Sequence, residues 1–167
     1  MSKREILRTS KITAYAFEEA EAHVKELIEQ AKQAASRAYA PYSNFQVGAA
    51  VLLSNGLIVQ GNNQENAAYP SGLCAERVAC FSAMANNPEA SIEMIAIVAK
   101  HGGTNHYKLA TPCGSCRQSM SEYENKQDQP IRLYLLGEDD QVYESESVEN
   151  LLPFKFSDQN LKTEDGV

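Results

Sequence analysis

The sequence predicts an α/β fold in which helices cover a mixed sheet. Three observations carry this. Helix-length amphipathic segments alternate along the chain with short runs of apolar and β-branched residues, in the order α, β, β, α, β, α, β, β, α. Two pairs of strand-like runs are joined by tight turns, which makes antiparallel hairpins. Other strands are separated by whole helices, which gives the sheet a parallel part.

Residues 1–16 read as a flexible N-terminal arm, and residues 17–167 as one domain. The first helix spans residues 17–39, where Phe17, Ala20, Val24, Leu27, Ile28, Ala31, Ala34 and Ala35 recur near helical spacing. Pro41 stops it by disfavouring helix in the residue before. Strands follow at 45–53 and 57–60, joined through Ser54-Asn55-Gly56, because Asn-Gly is a strong short hairpin signal. A polar segment, 62–72, leads to a helix at 74–86 that Asn86-Asn87-Pro88 ends. Residues 94–99 form a short buried-looking strand, and 101–111 a loop. Pro112 opens a helix at 113–124. Strands at 131–136 and 141–145 flank the turn Gly137-Glu138-Asp139-Asp140, and a short helix at 148–152 stops at Pro153. The strands number five.

Composition narrows the function. The formal net charge is −7, and the basic residues nearest one another, Lys3, Arg4, Arg8 and Lys11, are dispersed on the arm. Nucleic-acid binding relies on clustered Lys and Arg, so no nucleic-acid partner is expected. The first residues lack the apolar run of a signal peptide, and no stretch reaches the roughly 18 apolar residues of a membrane span. A cytoplasmic protein is expected, with its four cysteines, Cys74, Cys80, Cys113 and Cys116, kept reduced. In that setting they are metal ligands or core residues rather than disulfides.

Two motifs carry chemistry, Cys74-Ala75-Glu76-Arg77 and Pro112-Cys113-Gly114-Ser115-Cys116. Each lies where a loop enters a predicted helix. The two-residue spacing lets Cys113 and Cys116 grip one metal ion, and the helix N-terminus favours thiolate. Cys74, at another helix start, can supply a third sulfur. Three protein ligands leave tetrahedral zinc one open position, which a catalytic site needs to make water nucleophilic near neutral pH. Glu76 points about 200° from Cys74 at ~100° per residue, so the two converge only over the helix N-terminal end. There Glu76 can move protons without binding the metal. Three thiolates and Zn²⁺ sum to −1, so a guanidinium at Arg77 beside the sulfurs would restore Lewis acidity. Cys80 lies ~120° around the helix from Cys74 and reads as core. These pieces match the zinc-dependent base and nucleoside deaminases.

The chain resembles the small homotetrameric cytidine deaminases over residues 39–161. The matching segments are Ala40-Pro41-Tyr42-Ser43-Asn44-Phe45, Val47-Gly48-Ala49-Ala50, Glu65-Asn66-Ala67-Ala68-Tyr69, both cysteine motifs through Arg117-Gln118, and Leu151-Leu152-Pro153. The resemblance implies a three-layer α/β/α fold and hydrolysis of free cytidine and deoxycytidine to uridine, deoxyuridine and ammonia, as in pyrimidine salvage. It implies one Zn²⁺ per chain on Cys74, Cys113 and Cys116, with Glu76 as proton shuttle. Phe45 would pack on the pyrimidine, Asn63 and Glu65 would bond the ribose 3′-hydroxyl, and the backbone of Ala75 and Cys113 would hold the base. Phe156 would complete a neighbouring subunit's site in a homotetramer.

Other readings of the same residues are a polynucleotide cytosine deaminase, which needs a basic channel, and a structural-zinc binding module, which needs a fourth protein ligand. Asn63 and Glu65 could instead cap a loop, and Phe45 and Phe156 could simply pack. His23, His101, His106, Tyr42, Tyr69 and Arg117 read as surface, structural or interfacial residues. Residues 1–20 extend beyond the family's usual start.

Overall fold

In the computed structural model, which describes residues 3–161, the chain runs β1 (Thr13–Ala16), α1 (Ala22–Ala35), β2 (Phe45–Leu53), β3 (Ile58–Asn62), α2 (Ala75–Asn86), β4 (Ile92–His101), α3 (Gly114–Gln127), β5 (Arg132–Leu136) and β6 (Gln141–Ser145). Residues 162–167 of the expected domain lie outside the described residues. The strands form one mixed sheet in the order β1-β6-β5-β4-β2-β3. Only the β4–β5 pair is parallel, and both expected hairpins, β2–β3 and β5–β6, are antiparallel.

The apolar runs are continuous because both faces of the sheet are covered. Successive strand residues face opposite sides. Ala49, Val51, Ile95, Ile97, Leu133 and Leu135 pack in one cluster with Ala79, Cys80 and Ala83 of α2 and Met120 of α3. Their neighbours Ala50, Ala96, Val98, Tyr134 and Leu136 pack in a second cluster with Val24, Leu27, Ile28, Ala31 and Ala35 of α1. This is the expected three-layer arrangement, with α1 on one face and α2 and α3 on the other. Two glycines let the helices close on the sheet. A Cβ at Gly48 would lie 2.1 Å from the Ala31 carbonyl oxygen, and one at Gly61 2.4 Å from the Ala79 nitrogen, so α1 and α2 each pack backbone to backbone there.

The sheet has six strands, not five. The additional strand is β1, which pairs Thr13 with Glu144 and Ala16 with Gln141 on the free edge of β6. The last four residues of the segment read as a flexible arm are therefore sheet. The same pairing moves the start of the first helix from residue 17 to Ala22: the chain leaves the sheet edge through a 3₁₀ turn, Phe17–Glu19, and extended backbone at Ala20 and Glu21. The arm is also tied at Asn150, whose side chain accepts from the Lys11 N–H (2.9 Å) and donates to its carbonyl (2.7 Å).

A second fastening holds the C-terminal segment. Glu124, buried in α3, accepts the N–H groups of Ile131 (2.8 Å), Val148 (2.8 Å) and Glu149 (2.9 Å). A buried carboxylate stands only when its oxygens are satisfied, and three donors do this.

Candidate metal centre and adjoining cavity

Cys74 and Cys113 are the N-cap residues of α2 and α3, both with extended backbone, so each sulfur sits over a helix start. The two helices bring three sulfurs together across 39 residues of sequence. Cys74 Sγ lies 4.0 Å from Cys113 Sγ, Cys113 Sγ lies 3.5 Å from Cys116 Sγ, and all three fall within 4.8 Å of one another. Tetrahedral zinc with Zn–S bonds of ~2.3 Å needs sulfurs roughly 3.8 Å apart, so the donor set and its spacing fit Zn²⁺. Among the described residues this is the one His/Cys/Asp/Glu cluster that could hold a metal, and it contains no fourth ligand. Cys80 is fully buried in the core, and burial pushes its thiol up to about 12. The closed four-ligand alternative thus lacks its fourth residue. The structure supports one Zn²⁺ on Cys74, Cys113 and Cys116.

The electrostatics match. The Arg77 guanidinium reaches Cys74 Sγ at 3.9 Å. A hydrogen bond from the Cys116 thiol, and then Arg77, hold the Cys74 thiol well below the usual thiol range. The thiolate is the ligand form, so these contacts prepare the site. Glu76, in the first turn of α2, is only 5% exposed, and burial raises its carboxyl above the usual carboxylate range.

A cavity of about 670 Å³ opens beside the sulfurs, a volume suited to a small molecule. Cys74, Glu76, Arg77 and Cys113 line its floor, and Phe45, Asn63, Glu65, Tyr42 and Tyr69 its walls. Ala75, the first residue of α2, is buried and does not line the cavity. The structure thus gathers Phe45, Asn63, Glu65, Glu76, Arg77 and two of the cysteines around one space. Phe156 does not line it; its side chain is 57% exposed.

Two wall residues do cap a loop, the alternative expected for them, while still lining the cavity. Asn63 accepts the Val47 N–H at 2.8 Å and donates to the Phe45 carbonyl at 2.9 Å, pinning the start of β2. One amide hydrogen and one carbonyl lone pair remain for a ligand. Glu65 accepts from the Tyr42 N–H (2.9 Å), the Ser43 N–H (3.3 Å) and the Ser43 hydroxyl, closing the turn before Phe45. The Ser43 hydroxyl, chiefly, holds its carboxyl below the usual carboxylate range. In that turn Asn44 takes a left-handed φ of 53°, and its carbonyl accepts the Gly102 N–H at 2.8 Å. His101, expected in a loop, ends β4 opposite Phe45, with the two rings edge to face at 5.2 Å. Ser43 lies within the matched Ala40–Phe45 segment but had no role assigned there, and Thr111 had only the Pro112–Cys116 motif beside it as a signal.

Comparison with known proteins agrees. Residues 21–128 match the family described as cytidine and deoxycytidylate deaminase zinc-binding region. A cytidine deaminase of Sporosarcina psychrophila is 41% identical over 138 residues, 83% of this chain and 94% of that protein. The crystal structure of cytidine deaminase from Burkholderia pseudomallei superposes with a TM-score of 0.68 at 38% identity, covering 82% of this chain and all of that one. That from Mycobacterium tuberculosis gives 0.63 at 32% identity, covering 82% and 99%. With its sulfurs spaced for zinc and the match spanning well over half its length, the chain belongs to the cytidine and deoxycytidylate deaminase zinc-binding family.

Proposed function

We propose that the protein is a zinc-dependent aminohydrolase that converts free cytidine and deoxycytidine to uridine and deoxyuridine, releasing ammonia. The observation that carries this is the three-sulfur cluster with a buried carboxyl, Glu76, beside it on the floor of a nucleoside-sized cavity. Zinc, when bound, supplies a Lewis acid that makes water nucleophilic near neutral pH. The chain's own residues do the rest. Glu76 takes a proton from the attacking water and delivers it to N3 of the pyrimidine. A second transfer through the same carboxyl puts a proton on the amine at C4, which leaves as ammonia while C4 keeps the water oxygen as a carbonyl. Its raised pKa suits a group that must both accept and donate near neutrality. Arg77 offsets the thiolate charge. Phe45 stacks on the base, and the backbone at Ala75 and Cys113 holds its edge.

Glu65 and the free capacity of Asn63 take the ribose 3′-hydroxyl. Glu65 stays ionised here because Ser43 and Tyr42 donate to it. A 3′-phosphate would set like charge against it. We therefore expect 3′-CMP and cytosine-containing oligonucleotides to be at least about tenfold poorer than cytidine in kcat/KM. Ammonia release from cytidine, deoxycytidine, 5′-CMP, 3′-CMP, adenosine and a cytosine oligonucleotide tests the whole reading. Efficient turnover of single-stranded DNA would favour the polynucleotide alternative, and no turnover at all the binding module.

The same reading makes the protein a homotetramer with shared sites, acting in the cytoplasm in pyrimidine salvage. Among the described residues no helix is long and apolar enough to cross a membrane. Tyr42 and Tyr69 adjoin edge to face at 6.2 Å and are both exposed, and an apolar pair of this kind at the cavity mouth supports assembly, as a contiguous exposed patch does. Sedimentation should show a tetramer at assay concentration, and Phe156→Ala should lower kcat/KM for cytidine. A fully active monomer would contradict the shared site.

A further inference from the structure

Cys113 is exposed, and the residue after it, Gly114, has open space where a Cβ would be. Pro112 ahead of it is buried, but the sulfur itself has no packing of its own and must meet two others at metal-binding distance. The hydrogen bonds that tie down its approach come from Arg117, in the first turn of α3. The Arg117 backbone N–H donates to the Cys113 carbonyl at 3.0 Å. Its Nε donates to the Pro112 carbonyl at 2.8 Å, immediately ahead of Cys113. A third donor, Nη2, reaches Thr111 Oγ1 at 3.4 Å.

The remaining guanidinium nitrogen, Nη1, donates to the Leu151 carbonyl at 2.7 Å. Leu151 is itself an anchored point, because Glu124 holds the Val148 and Glu149 N–H groups and Asn150 is tied to Lys11. The planar fork of Arg117 thus joins an anchored C-terminal segment to the loop that presents Cys113. A fork with fixed donor directions holds two carbonyls at a set separation, which a lysine cannot. The side chain of Gln118, the next residue, donates instead to the Phe156 carbonyl at 3.0 Å.

We propose that Arg117 is a positioning residue for the metal centre, holding the Thr111–Pro112 approach to Cys113 against the anchored C-terminal segment so that three sulfurs meet at one point. This rests on the three cysteines being the zinc ligands. Contacts behind metal ligands are typically worth 10- to 100-fold in metal affinity.

The test uses the full-length protein loaded with zinc, and with cobalt(II) as a spectroscopic substitute. Arg117→Met should weaken zinc binding about 10- to 100-fold in chelator competition and shift the cobalt–thiolate absorption bands. Arg117→Lys should fall between it and the wild type. Gln118→Ala should bind zinc as the wild type does, while amide exchange near Phe156 quickens. Wild-type zinc affinity and an unchanged cobalt spectrum in Arg117→Met would overturn the proposal. Should that variant not fold, the same result in Arg117→Gln would do so. A loss of zinc in Gln118→Ala as large as in Arg117→Met would also overturn it, since tail anchoring alone would then suffice. Wild-type protein that binds zinc but releases no ammonia from cytidine would instead refute the deaminase reading and leave these metal readouts standing.

Discussion

Glu76→Gln is expected to lose cytidine turnover by about 10²- to 10⁴-fold while keeping one zinc per chain. Glutamine has the size of glutamate and retains an acceptor oxygen, so the first turn of α2 need not move. What it lacks is the ability to take and return a proton, and Glu76 is the carboxyl on the cavity floor beside the sulfurs. The fold should not suffer. Burial raises the Glu76 pKa, so in protein stripped of metal this carboxyl contributes most to stability below its unfolded value near 4.5, and the contribution falls away as pH rises through the folded value. Glutamine does not titrate. At pH 7 the metal-free variant should therefore unfold at the same urea concentration as the wild type or a higher one. Zinc content, a urea curve and single-turnover ammonia release together check this. Turnover within threefold of the wild type in a zinc-replete variant would remove the proton-transfer role from Glu76.

How far the site was legible follows from which forces act locally. The bounds of β2 and β6 are those expected, because alternation over sandwiched, apolar strands is a strong short-range signal. The metal ligands were legible because sulfur spacing is itself chemistry: Cys113 and Cys116 must approach each other wherever α3 begins. That Cys74 joins them is a tertiary fact, and it depends on Gly61 allowing α2 to lie against β3. β1 was invisible. Four residues, Thr-Ala-Tyr-Ala, make too short an alternation, and their partner strand lies some 130 residues away, with Tyr15 donating to Glu144 at 2.9 Å across that separation. Hydrogen-bond partners were equally hidden. Helical spacing puts Glu124 four residues after Met120, on the buried face of α3, but does not tell which groups satisfy its carboxylate; the structure supplies three N–H donors from two other segments. Asn63 and Glu65 were recognisable as polar residues that bind a ligand or cap a loop; that they cap the turn holding Phe45, some 20 residues earlier in the chain, took the structure to show.

Replacing Cys113 and Cys116 together by alanine is expected to abolish stoichiometric zinc and bring cytidine turnover below detection. Two of three ligands are then gone, and Cys74 alone cannot hold the ion. The fold should survive. The sheet is covered on both faces by apolar clusters that draw on all three helices, and only Cys116 of the two replaced residues is fully buried. Cys113 is exposed, so its loss opens no cavity. This outcome separates a catalytic centre from a structural one, because a domain that folds around its zinc unfolds when the ligands are removed. Cys80→Ala is the matched control. It deletes a buried sulfur from the same face of the sheet and should lower stability by about 1–2 kcal/mol through the small cavity it leaves. It should keep one zinc per chain and wild-type turnover, because Cys80 packs in the core and is not among the clustered sulfurs. Zinc by atomic absorption, circular dichroism and ammonia release, measured on the three proteins side by side, decide the matter. Full zinc in the double variant would mean that the ion sits elsewhere, and loss of zinc in Cys80→Ala would bring back the four-sulfur structural site.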